Sequence, residues 1–166
     1  MTVIQNHQNG KKPPRRIERT FAFKVLYGLL FSDTADEREL SRAFAVSPDR
    51  PELPDRENSY AWLLCKGVWQ NRERLDGVLA GLSQNWRVER IGKVEITLLR
   101  IALFEMLQGN PDVPPKVAIN EALELSKQFS DAKTRGFVNG VLDAAVKALE
   151  NGSLSQITLN TNGNQR

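Results

Sequence analysis

Three arginines at the start of one helical segment, Arg15, Arg16 and Arg19, are the residues whose type and spacing best fit a chemical task. At about 100° per residue, Arg15 and Arg19 lie about 40° apart and Arg16 about 100° from Arg15. All three fall within the first turn and a half, where the positive end of the helix dipole disfavours cations by a few tenths of a kcal/mol each. Guanidinium forks suit phosphate oxygens, so the cluster points to a polyanion such as nucleic acid. The plain alternative is a solvated face with an Arg15–Glu18 surface pair.

A second candidate lies far along the chain. Phe137 follows Lys133 and Arg135 and sits at the edge of the stripe Val138, Val141, Leu142 and Ala145. An aromatic beside cations can stack an unpaired base, while an aromatic beside a stripe can equally be core. Within the same segment, Asn139 reads as a cap or a bridge to a buried polar group, and Gly140 as a point of close helix packing. Glu95 and Glu105 lie on or beside the apolar side of their helix and want a partner, with Arg100 a candidate. Paired-carboxylate catalysis is the other reading, but no nucleophile, metal set or cofactor loop accompanies them. Asn120-Glu121 fits an exposed polar face. With one histidine, His7, and one cysteine, Cys65, zinc sites and His-dependent triads have little to draw on. No Gly-x-Gly-x-x-Gly or P-loop string occurs, so no cofactor, metal or enzymatic residue is expected.

Charge is distributed unevenly. Residues 1–24 hold six cations against Glu18, a sum of +5, which leaves −2 of the total +3 for residues 25–166. A basic end on a nearly neutral body suits a polyanion partner. The longest apolar run, Val25–Phe31, is far short of the ~20 residues that cross a bilayer. No signal peptide opens the chain, and a lone cysteine fits a reducing cytoplasm.

The elements that must position these residues read as helices throughout. Periodic apolar residues place helices over about 15–32, 36–44 with Asp33 or Asp36 as cap, and 57–84 with a break near Asn71. Others follow over 89–108, from Pro114-Pro115 to 129, and 133–150. Proline-rich 47–55 and 109–115 separate them. The expected fold is all-α: a helical bundle of about six to seven helices in two small subdomains. Residues 1–14 read as a disordered basic leader, 15–150 as the helical domain and 151–166 as a disordered polar tail.

Several strings carry a resemblance. RRIERTFAFKVLY (15–27), LLRIALFEM (98–106), VPPKVAINEALELSKQF (113–129) and FVNGVLD (137–143) occur in the order and spacing of the NusB family of bacterial antitermination factors. Trp86, shortly before Arg90-Ile91, is similar too. The resemblance spans about residues 14–149. It implies an all-helical, non-enzymatic factor that binds boxA-type single-stranded RNA together with ribosomal protein NusE. The pair then joins NusA and NusG on RNA polymerase, supporting transcription of ribosomal RNA operons.

By that resemblance Arg15, Arg16 and Arg19 match the RNA-contacting helix, Phe137 the aromatic at the RNA surface, and Glu95 an acidic position facing NusE. Lys133 and Arg135 are added as cations beside Phe137. Five positions depart from the family pattern: Ile17 and Glu18 thin the arginine patch, Gly136 stands where lysine is frequent, Ser130 replaces a common glycine, and Lys133 stands where an acidic residue can occur. Two alternatives belong beside this reading: the NusB-like RNA-binding module of a ribosomal RNA methyltransferase, and a helical adaptor that binds no RNA.

Overall fold

The structure, a computed structural model, describes residues 12–33, 36–82 and 87–155. His7, Trp86 and the expected disorder of residues 1–11 and 156–166 lie outside the described residues. Those described form α1 (Arg15–Leu29), α2 (Glu37–Val46), α3 (Tyr60–Leu82), a short 3-10 turn (Val88–Arg90), α4 (Lys93–Leu107), α5 (Pro115–Phe129) and α6 (Ala132–Glu150). No strand occurs among them, and the all-α expectation holds. None of these helices is long and apolar enough to cross a membrane.

The centre is α4. From Ile96 to Leu107 every residue but Arg100 is buried, so the helix is enclosed on nearly all sides. Helices α1, α3, α5 and α6 pack around it, and α2 closes against α1 and α3. One continuous core runs through all six helices, from Phe21 and Phe44 on one side to Val138 and Leu142 on the other.

Local chemistry accounts for most boundaries. Asp36, and not Asp33, caps α2 by accepting the Glu39 amide at 2.9 Å. Pro115 opens α5, with the Pro114 carbonyl accepting from Val117 and Ala118. Helix α4 stops at Leu107, and Gly109 takes φ +69° just beyond.

Four expectations need correction. The first helix ends at Leu29 and continues only as turns to Ser32. Helix α3 is unbroken at Asn71, whose side-chain amide nitrogen donates back to the Gly67 carbonyl at 2.8 Å inside the helix, while its Oδ1 is buried without a hydrogen-bond partner. The 89–108 segment divides, because Gly92 is extended and caps a separate α4. The polar tail stays ordered to residue 155: Gly152 takes φ +80°, and the Leu154 amide returns to the Ala148 carbonyl at 2.9 Å. Leu154 then packs on the core.

Gly140 is also reassigned. A Cβ built there meets nothing within 4 Å, whereas one at Gly67 would fall onto the ring of buried Phe104. The close helix approach therefore belongs to the α3–α4 contact. Gly67→Ala should cost about 1–3 kcal/mol by overpacking. Gly140→Ala should stabilise by about 0.5–1 kcal/mol, since its glycine costs helix propensity without a packing return. Urea melts of both variants test the assignment, and equal shifts would contradict it.

Candidate nucleic-acid interface

The arginines of α1 diverge once their neighbours are known. Arg19 is only 4% exposed, and its guanidinium meets Glu105 of α4 at 2.7 and 3.0 Å. Its remaining nitrogen reaches Glu121 of α5 at 3.2 Å. The Tyr60 hydroxyl of α3 donates to the same Glu105 carboxylate. This corrects the expectation for Arg19: its guanidinium ties four helices together and is not displayed to a phosphate. Arg100 is not the partner of either glutamate, since it forms a two-pronged pair with Asp76 at 2.7 and 2.8 Å.

Arg16 is displayed. Its side chain is 61% exposed, and its Nε and Nη2 grip Glu121 at 3.1 and 2.9 Å. That grip occupies two of the five guanidinium donors, leaving three directed elsewhere. Arg15 is exposed, pairs loosely with Asp112 at 3.4 Å and lies over the Tyr60 ring at 4.9 Å. The Arg15–Glu18 surface pair is not formed. Glu18 is buried and accepts the amides of Tyr60 at 2.9 Å and Ala61 at 3.3 Å. Ser59 Oγ takes the Trp62 amide, so first-turn donors of α3 are satisfied by a residue more than forty positions away and a local one.

Arg16 shares a shallow groove of about 830 Å³ with Asn120, Glu121, Lys127, Arg135 and Asn139, between α1, α5 and α6. Asn139 is thus exposed and bridges nothing buried. Arg135 is half-buried and donates to the Ser130 carbonyl at 3.4 Å. Across the start of α6 lies a second pocket of about 380 Å³, where Phe137, Lys133 and Glu95 meet Arg90 of the 3-10 turn and Arg87 just before it. Phe137 is half-buried there: one part packs on the core, another lines the pocket. The ring is therefore neither wholly core nor wholly exposed. Glu95 accepts the Thr134 hydroxyl at 3.2 Å. It folds back over the α4 start, so a Cβ at Gly92 would collide with its carboxylate.

An aromatic series runs from Phe129 of α5 along α1. Phe129 stacks on Phe23 at 4.4 Å, Phe23 on Tyr27 at 5.8 Å, and Tyr27 meets Phe31 edge-on at 5.2 Å. Phe31 is 61% exposed, with the Lys93 ammonium 4.4 Å over its ring. Sequence reasoning missed this series, and it missed Arg87 and Arg90. Their spacing of three residues beside Gly92 was a readable signal.

Breaking the buried pair should be costly. Arg19→Ala leaves Glu105 charged and enclosed, and about 3–5 kcal/mol of stability should be lost in urea melts. A loss below 1 kcal/mol would refute the role of Arg19 as the tie. Glu121 should give a pH signature. Its hydrogen bonds to Arg16 hold its carboxyl below the usual range. A depressed carboxyl stabilises the fold above the unfolded value, ordinarily about 4.3, and that contribution disappears as pH falls through the lower folded value. Glu121→Gln should therefore flatten the acid limb of stability below about pH 5; an unchanged limb would argue against it.

The geometry finds its relatives among known proteins. Residues 16–147 match the NusB family. The transcription antitermination protein NusB of Nitratidesulfovibrio vulgaris (strain DP4) is 57% identical over 145 residues, covering 86% of this chain and 94% of that protein. NusB of T. maritima superposes with a TM-score of 0.66 at 27% identity, covering 86% of this chain and 99% of that one. A chain in the crystal structure of antitermination factors NusB and NusE in complex with dsRNA matches with a TM-score of 0.66 and 25% identity, over 81% of this chain and 96% of that one. With a family match across most of its length and a relative at this identity, the chain belongs to the NusB family.

Proposed function

We propose that this chain is an antitermination factor that binds boxA-type single-stranded RNA jointly with NusE. In this reading the complex also engages NusA, NusG and RNA polymerase in the cytoplasm and supports transcription of ribosomal RNA operons. The observation that carries the proposal is the half-buried Phe137 ring set between two cation-lined depressions at the start of α6. Arg16 and Arg135 line one, Lys133 the other. A phosphate needs the cations, and an unpaired base needs the ring. Duplex RNA keeps its bases stacked, so single strands are preferred.

Glu95 and the aromatic series ending at Phe31 form the neighbouring surface. Its exposed aromatic, with the Lys93 ammonium over the ring, suits a protein partner better than a phosphate chain. The RNA and NusE surfaces adjoin at the start of α4, so each ligand can help to order the other. Coupling of this kind is reciprocal: NusE tightens RNA binding by the factor by which RNA tightens NusE binding.

RNA titrations across a salt series test the proposal. Arg16→Ala should flatten the slope by roughly 0.7 and weaken boxA and scrambled RNA alike. Phe137→Ala should leave the slope intact and lower affinity roughly 5- to 150-fold, the equivalent of ~1–3 kcal/mol for one stacked base. Glu95→Lys should weaken NusE binding with the helical circular dichroism unchanged. A wild-type chain whose RNA binding is absent or independent of salt would instead be a helical adaptor.

A further inference from the structure

The arginines of α1 are spoken for, whereas three cations around Phe137 form no ion pair. Arg15, Arg16 and Arg19 pair with Asp112, Glu121 and Glu105 respectively. Among the described residues, Arg87, Arg90 and Lys133 form no ion pair. All three are exposed and line the pocket of about 380 Å³ that also holds the Phe137 ring. Two carboxylates share the pocket: Asp131 accepts the Thr134 amide at 2.8 Å and feels the Lys133 charge, and Glu95 accepts the Thr134 hydroxyl, so the three cations outnumber them.

Arg87 precedes the 3-10 turn in extended backbone, φ −102° and ψ 138°, and Arg90 ends the turn, with the Arg90 amide bonded to the Arg87 carbonyl at 3.0 Å. That hydrogen bond closes the chain on itself, and both arginine side chains line the same pocket. Two adjacent forks with open donors match the oxygens of a phosphodiester. The half-buried Phe137 ring lines the same pocket, and an aromatic is the side chain on which an attached base stacks.

We propose that Arg87 and Arg90, with Lys133, form a phosphate site serving the same nucleotide whose base stacks on Phe137. The site rests on the RNA-binding reading above and adds to it a contact outside α1. Single-stranded RNA is its ligand class, and the phosphate contact is indifferent to sequence.

The test uses the full chain with NusE and a single-stranded boxA-type RNA, titrated over a salt series. The double variant Arg87→Ala/Arg90→Ala should flatten the slope by roughly 1.4, two contacts at about 0.7 each. The control Arg38→Ala/Arg50→Ala removes the same charge from exposed positions elsewhere and should leave the slope near wild type. In a Phe137→Ala background the arginine pair should matter less, because one nucleotide uses both. A wild-type slope in the double variant overturns the proposal. So does an equal fall in the control, which would show diffuse charge, or strict additivity with Phe137→Ala, which would separate the two sites. If the wild-type chain itself shows no salt-sensitive RNA binding, the RNA reading fails, and this site falls with it.

Discussion

The ion pair between Arg19 and Glu105 is the constraint on which the rest of the structure depends. Two opposite charges are held at 4% and 1% exposure between α1 and α4. Removing them from water is expensive, and attraction offsets that only where the remaining donors and acceptors are also satisfied. Here they are. Arg19 spends its fork on Glu105 and its other nitrogen on Glu121, and Glu105 also accepts from Tyr60. The Tyr60 hydroxyl, pushed up by burial and by that carboxylate, stays protonated and able to donate. An apolar α1 surface could slide along α4 at small cost. A fork on a carboxylate cannot, so the pair fixes the register of α1.

That register propagates outward. One residue before Arg19, Glu18 lands on the start of α3 and satisfies two amides there. Three residues before it, Arg16 lands on Glu121, whose other contact is Arg19 itself. Glu121 therefore joins the buried network to an exposed guanidinium. Holding a long side chain in one orientation lowers the rotamer entropy that a ligand must otherwise remove. It also lowers the local positive charge. The opening helix is consequently less of a bare cationic patch, and more of an oriented one, than its net charge suggests.

This contrast marks what was legible in the sequence. Helix type and the order of elements follow from periodicity and from prolines, because those signals are local. Asp36 and Pro115 act where they stand. Partners more than eighty residues apart are not local: nothing in the spacing of Arg15, Arg16 and Arg19 tells which one meets Glu105. The dipole argument treated the three alike, yet burial separates them, and the least exposed contributes to the fold. Gly140 was misjudged for a related reason. A glycine on a helix looks the same whether its bare face meets a neighbour, as at Gly67, or solvent. Glu95 and Phe137 belonged to separate candidates until α4 and α6 brought them to one pocket.

The start of α6 shows how one short region can serve both stability and recognition. Asp131 caps the helix, and the capped amide belongs to Thr134, whose hydroxyl reaches Glu95 on α4. That link fixes the rotation of α6 and thereby the half of the Phe137 ring that faces outward. Val138, one residue on, is fully enclosed and sets the depth. A ring wholly in the core could stack nothing. A ring wholly in water would be mobile and would cost apolar exposure. Placing it at the stripe edge, beside a cap that cannot rotate, yields a rigid apolar face with cations on both flanks. Rigidity here comes from the core, and the surface proposed to bind RNA inherits it.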